Sequence, residues 1–221
     1  MKSLVVALSI FLPWWAKRRL LQWICGYEIA DTARIGFSWV APQHLRMGPS
    51  SSIGHGNICK RIRLLELKPN AAICHFNWIS GYPEGGTEHY AKETDRKTEV
   101  ILEEQSAITN RHLIDATDQI RIGAFSILAG ARSQIVTHRI DFDEPRQTCA
   151  PVEIGAYCFV GTACVLLAGA KLPNYSVLGA MSLLKDRWEK PHMLYAGVPA
   201  KPIKPLDPKS GYFQRKQGFV L

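Results

Sequence analysis

Apolar residues recur along this chain at a spacing that fits neither common secondary structure. Ile154, Val160, Leu166, Leu172, Leu178 and Leu184 follow one another every six residues. An amphipathic helix repeats at about 3.6 residues and a half-buried strand at about 2. Four residues after successive members of the run stand Cys158, Cys164, Ala170, Ser176 and Ser182, all small. Gly155, Gly161 and Gly179 directly follow the aliphatic Ile154, Val160 and Leu178.

One aliphatic and one small residue per six predicts a triangular parallel β-helix with six residues on each side. The aliphatic side chain fills the centre and the small one lies near a corner. Glycine after the aliphatic permits tight turning and unusual φ. Hexapeptide repeats are the signature of such a coil. The small-corner version winds left-handed, an exception to the right-handed crossover rule. The expected class is therefore all-β, a left-handed parallel β-helix with a short N-terminal helix and a C-terminal tail. Looser runs carry the period earlier: Ile29, Ile35, Ala41, Met47, Ile53, Cys59; then Leu67, Ile73, Ile79; Leu102, Ile108, Ile114; and Ile122, Leu128. Between them the phase slips. Ser80 to Thr98 interrupts the pattern with Gly81, Pro83, Gly85 and Gly86, and is expected to form a loop thrown out from a corner.

The expected organisation is an apolar and basic segment over 1–28, the β-helix over 29–204 with its loop at 80–98, and a tail over 205–221. Leu4 to Leu12 is apolar but shorter than the roughly 20 residues that span a bilayer. Pro13-Trp14-Trp15-Ala16 supplies no cleavage site. Lys17-Arg18-Arg19 and the tryptophans beside them fit either a membrane interface or a helix that caps the main fold.

At 221 residues, with 47% hydrophobic and 21% charged, the chain is one ordinary globular domain, or one plus an appendage. A net charge of +8 suits an anionic partner: a phosphorylated cofactor, an acidic polysaccharide, a membrane surface or nucleic acid. No aromatic-basic motif supports nucleic acid. The six cysteines form no CxxC pair and no zinc-finger spacing. They are expected to be reduced, structural thiols in a chain long enough to bury a core without disulfides.

Ile135-Val136-Thr137-His138 ends one coil, and Asp143-Glu144-Pro145-Arg146-Gln147-Thr148 breaks the next before the repeat resumes at Val152-Glu153-Ile154-Gly155. A histidine beside a polar interruption is placed to face a cleft. These segments, with Phe159-Val160-Gly161-Thr162, Val177-Leu178-Gly179-Ala180-Met181-Ser182 and Tyr195-Ala196-Gly197-Val198-Pro199-Ala200-Lys201, resemble the hexapeptide-repeat acyltransferases. The relatives in view are galactoside, maltose and xenobiotic acetyltransferases and polysaccharide O-acetyltransferases. The likeness covers roughly residues 100 to 204.

The resemblance implies that His138 is the general base that takes the proton of an acceptor hydroxyl as it attacks the thioester of acetyl-CoA. It implies Asn110 at the acceptor, with a turn residue as the alternative, and Thr162 and Ala180 along the pantetheine arm. Lys185, Lys201 and Lys204 would meet the phosphates of acetyl-CoA, although Lys185-Asp186 stands where the family often has Thr-Lys. Asp141 and Asp143 are candidates to orient His138 or bind acceptor hydroxyls, and His112 is an alternative partner. The family also implies a homotrimer with its active sites between subunits.

The expected activity is O-acetyl transfer to a sugar or polysaccharide precursor, directly and without an acyl-enzyme or a metal. The expected location is the cytoplasm, with possible contact at the inner face of the membrane. N-acetylation of an amino sugar or another amine is the rival within the enzyme class, and a non-enzymatic β-helix scaffold the rival outside it. The 28-residue N-terminal segment is too small for the helical domain of a serine acetyltransferase. A γ-carbonic anhydrase would need a third histidine beside His112 and His138.

Overall fold

In the computed structural model, which describes residues 2–85 and 89–220, the six-residue period becomes a three-sided prism. Positions 86–88 of the expected loop, and the outermost residue of each terminal segment, lie outside the described residues. The first face runs from Glu28–Ile29 to Lys171–Leu172, the second from Arg34–Ile35 to Val177–Leu178, and the third from Trp39–Ala41 to Leu183–Leu184. Within each face, every strand pairs in parallel with the strands of neighbouring coils. The chain winds left-handed from face one to two to three. Below, corner one follows the first face, corner two the second and corner three the third.

The aliphatic run fills the interior in register. Ile108 lies between Ile73 and Leu128, and Ile114 between Ile79 and Ile135. All six are at most 1% exposed. Removing one such side chain leaves a void that the ladder of backbone hydrogen bonds prevents from closing. Leu128→Ala should therefore cost about 2–5 kcal/mol in denaturant unfolding. A cost below about 1 kcal/mol would show that Leu128 does not fill the centre.

Two details of the periodic reading are corrected. Ala41 is only half-buried, and Val40, 2% exposed, points inward in its place, paired with Cys59. Corner two is one residue shorter in the first coil: the buried Ser38 follows Ile35 by three residues, whereas Asn57 and Asn77 follow Ile53 and Ile73 by four. The glycines also serve a different purpose. Gly155, Gly161 and Gly179 do not take positive φ; the left-handed positions fall two residues later, on Tyr157, Ala163 and Met181, at 56°, 55° and 58°. What the glycines supply is room. A Cβ on Gly155 would lie 2.6 Å from Asn174 N, and one on Gly161 2.6 Å from Ala180 N. The small residues do lie at corners, with Cys158, Cys164, Ala170 and Ser176 fully buried. No disulfide joins the described residues, and the Cys158 and Cys164 thiols donate to Pro173 O and Gly179 O.

The two ends of the prism are finished differently. At one end sit helices α1 (Lys2–Ser9) and α2 (Trp14–Cys25). Val6, Leu21 and Cys25 face the core. Two members of the basic cluster are used internally: Lys17 Nζ donates to Gly36 O at 2.7 Å, and Arg18 to Ile29 O and Asp31. At the other end, Met193–Gly197 and Ala200–Pro205 form a hairpin that extends the second face. The tail then folds back, with Tyr212 Oη donating to Cys158 O and Gly218 N to Gln105 Oε1.

Two excursions leave the prism at corner three. One is the segment 81–98. The other is an antiparallel hairpin, His138–Asp141 with Arg146–Cys149, where the sequence showed only a polar break. In the corner-three column only the turn at 116–119 stands between them.

Candidate active site

His138 is the first residue of the hairpin, where the chain leaves the third face. Its Nδ1 lies 2.9 Å from Asp115 Oδ1, with the two side chains 43% and 26% exposed. A carboxylate only accepts, so Nδ1 carries a proton, and in the neutral ring Nε2 keeps its lone pair. Asp115 ends the strand of the coil below, paired with Val136 two residues before His138. Its Oδ1 also accepts Thr117 N at 3.2 Å and lies 3.3 Å from Thr137 Oγ1. Thr137 Oγ1 in turn accepts Asp118 N at 2.9 Å. The carboxylate is thus anchored from two coils, and it holds the imidazole in one tautomer and one orientation. No sequence pattern singled out Asp115; its signal is the coil spacing of 21 residues that puts it beside Val136.

The two excursions pack against each other near this pair. Arg96 donates to Tyr82 O at 2.7 Å and to Thr117 O at 3.2 Å, and its guanidinium lies 5.0 Å from the Tyr90 ring. Tyr90 is buried against the same corner. Burial first, and then the Asp115 charge, push its hydroxyl up to about 12, so it remains a proton donor at neutral pH. Lys92 pairs with Glu144 at 2.8 Å, and Arg146 with Glu93 at 2.7 Å. These pairs tie the loop to the hairpin. Between them lies a cavity of about 500 Å³, walled by His89, Tyr90 and Lys92 on one side and Ile140, Arg146 and Gln147 on the other.

Of the other residues singled out from sequence, Asp141 and Asp143 lie at the turn of the same hairpin and the rest on other parts of the prism. Asp141 Oδ1 accepts the N–H groups of Asp143 and Glu144 at 3.1 and 3.3 Å, which holds its carboxyl below the ordinary range and shapes the hairpin turn. Asn110, Thr162 and Ala180 share one column at corner two, across the third face from His138. Asn110 Oδ1 accepts His75 N at 3.0 Å, and Thr162 Oγ1 accepts Ala131 N at 3.1 Å. Lys201 pairs with Ala196 in the terminal hairpin, and Lys204 with Leu194. Lys185 follows the last third-face strand at corner three, 3.3 Å from Asp186.

His112 belongs to a buried polar ladder. Asn57 N bonds Ser38 Oγ, Asn77 N bonds Asn57 Oδ1, His112 N bonds Asn77 Oδ1, and Ser133 N bonds His112 Nδ1. Burial lowers its pKa from 6.5 to about 4, so the folded protein keeps it neutral while the unfolded chain takes up a proton. Stability should therefore fall as pH drops through that window, by about 2 kcal/mol between pH 7 and 5 from this group. His112→Asn, which keeps the rung as Asn57 and Asn77 do, should flatten that slope in denaturant titrations. An unchanged slope would assign the acid sensitivity elsewhere.

No protein-family model and no curated protein matches the chain. Solved structures do. AntD, an N-acyltransferase from Bacillus cereus, crystallised as a mutant with dTDP-4-amino-4,6-dideoxyglucose and coenzyme A, is 15% identical with a TM-score of 0.51, over 79% of this chain and 83% of that one. A hexapeptide-repeat acetyltransferase of Vibrio cholerae, complexed with acetyl coenzyme A, is 17% identical with a TM-score of 0.50, over 93% of this chain and 86% of that one. At these identities the likeness is one of architecture: the chain has the left-handed parallel β-helix fold of the hexapeptide-repeat acyltransferases.

Proposed function

We propose that the protein is an acetyl-CoA-dependent O-acetyltransferase acting on a sugar or polysaccharide precursor in the cytoplasm. The observation that carries this is the half-exposed His138–Asp115 pair, anchored at the root of the hairpin whose Ile140, Arg146 and Gln147 help wall the cavity. His138 Nε2 accepts the proton of the acceptor hydroxyl as that oxygen attacks the acetyl carbonyl carbon. The tetrahedral intermediate collapses with cleavage of the C–S bond, and the imidazolium returns the proton to the departing thiolate. The acetyl ester and coenzyme A are the products, and no acyl-enzyme forms.

In this reading Thr162 and Ala180 line the path of the pantetheine arm. Both are exposed at corner two. Lys201 lies toward the end of that column, and Lys185 and Lys204 offer further cations to the phosphates. Within one chain, the Asn110–Thr162–Ala180 column and His138 stand at opposite edges of the third face. A homotrimer, in which one chain's column faces a neighbour's His138, unites them. Light scattering should give a mass three times 24.7 kDa; a monomer mass would contradict the shared site.

The loop and hairpin select the acceptor. Arg146→Ala breaks the pairs to Glu93 and Glu144. It should raise KM for the acceptor several-fold while KM for acetyl-CoA changes little. Equal effects on both would remove the cavity from acceptor binding. The same imidazole can take a proton from an ammonium, and the AntD complex holds an amino sugar, so amines belong in any acceptor screen.

A further inference from the structure

The helical cap leaves six large apolar side chains in water within 20 residues. Leu4 and Leu8 are 65% and 68% exposed, Phe11 83%, Leu12 40%, Trp15 69% and Trp23 86%. Their helices do not lack a core: Val6, Leu21 and Cys25 already bury the inward side, and Lys17, Arg18 and Gln22 bond the first coil. The exposed positions are therefore a second face. On α2 they read Trp15, Arg19, Trp23, one residue per turn, a cation between two tryptophans. Leu4 and Leu8 are likewise one turn apart on α1. Exposed apolar surface of this extent marks an interaction site.

Charge identifies the occupant. Residues 1–70 carry ten of the 27 Lys and Arg but only three of the 19 Asp and Glu, so +7 of the net +8 lies in the cap and the first coils. The remaining 151 residues are nearly neutral. One end of the prism is thus both apolar and strongly cationic. Repulsion between two such ends opposes docking a second copy there. Tryptophan, phenylalanine and leucine beside arginine suit the boundary between lipid headgroups and acyl chains. No helix among the described residues is long and apolar enough to cross a membrane, so the contact lies in the interface.

We propose that this cap is a docking surface for an anionic lipid bilayer, holding the prism end-on at the membrane. The assignment does not depend on the acyltransferase reading, and its test needs no turnover. The probes are vesicles of phosphatidylcholine alone and vesicles with about 30% phosphatidylglycerol. The full chain should float with the anionic vesicles and bind neutral ones at least about tenfold more weakly. Salt should weaken the anionic binding, and tryptophan emission should move to shorter wavelength on binding. A variant carrying Phe11→Ser, Trp15→Ser and Trp23→Ser should lose binding by about a hundredfold or more. Its melting temperature should hold, since these side chains are already in water. Three results would overturn the proposal: no flotation with anionic vesicles, undiminished flotation of the variant, or equal binding to neutral vesicles. A change in the variant's oligomeric mass without lipid binding by the parent would identify a second copy as the occupant.

Discussion

His138→Ala is expected to lower kcat by roughly 10²–10⁴-fold, the contribution of a positioned general base. An alcohol barely ionises at neutral pH, so without Nε2 the attacking oxygen must lose its proton to water. The fold should be unaffected, because His138 stands at the exposed root of the hairpin and contributes no side chain to the core. KM for acetyl-CoA should change little, since in the proposed mechanism the histidine meets the reacting atoms and not the cofactor's phosphates. The check is steady-state release of coenzyme A beside a thermal melt. Turnover unchanged in a folded variant would remove His138 as the base.

Asp115→Asn is the second large effect, expected at about 10–100-fold on kcat. A carboxamide in place of the carboxylate at 2.9 Å presents either an oxygen or an NH₂ group to Nδ1. When the NH₂ group faces the ring, Nδ1 becomes the acceptor and the proton moves to Nε2, where it blocks base catalysis. Asp115 touches no substrate in this account; it positions His138. Its loss should therefore add almost nothing to His138→Ala in a double variant, because the positioned group is already gone. Independent, multiplicative losses in the two single variants and their combination would show that Asp115 acts elsewhere.

The architecture was legible because the repeat is local: each aliphatic residue reports its own wall. Where the period misled, a corner had changed length. The Ser38 corner is one residue short and moves the inward position from Ala41 to Val40. The glycines were correctly marked as special but for the wrong reason, since backbone crowding from the next coil has no trace within a single hexapeptide. The same blindness hid Asp115. Its partner His138 lies 23 residues away, and only the register of successive coils brings the two together. His112, two residues from Asn110 and kept as an alternative partner in sequence, proves to be one rung of a ladder built from Ser38, Asn57, Asn77 and Ser133. The excursion after His138 read as a break because its strands pair with each other and not with the prism. The basic cluster fitted either a membrane interface or a capping helix, because sequence does not show that Lys17 and Arg18 bond the first coil while Arg19 stands exposed between the tryptophans.

The measurement that bears most directly on the account is acceptor-dependent release of coenzyme A from acetyl-CoA by the purified chain. The acceptor panel should hold nucleotide sugars, lipid-linked oligosaccharides and amines, with products read by mass spectrometry. The account predicts a saturable release that requires a saccharide acceptor, leaves one acetyl group on its oxygen, and disappears with His138→Ala. No release above the hydrolytic background with any sugar or amine would contradict it.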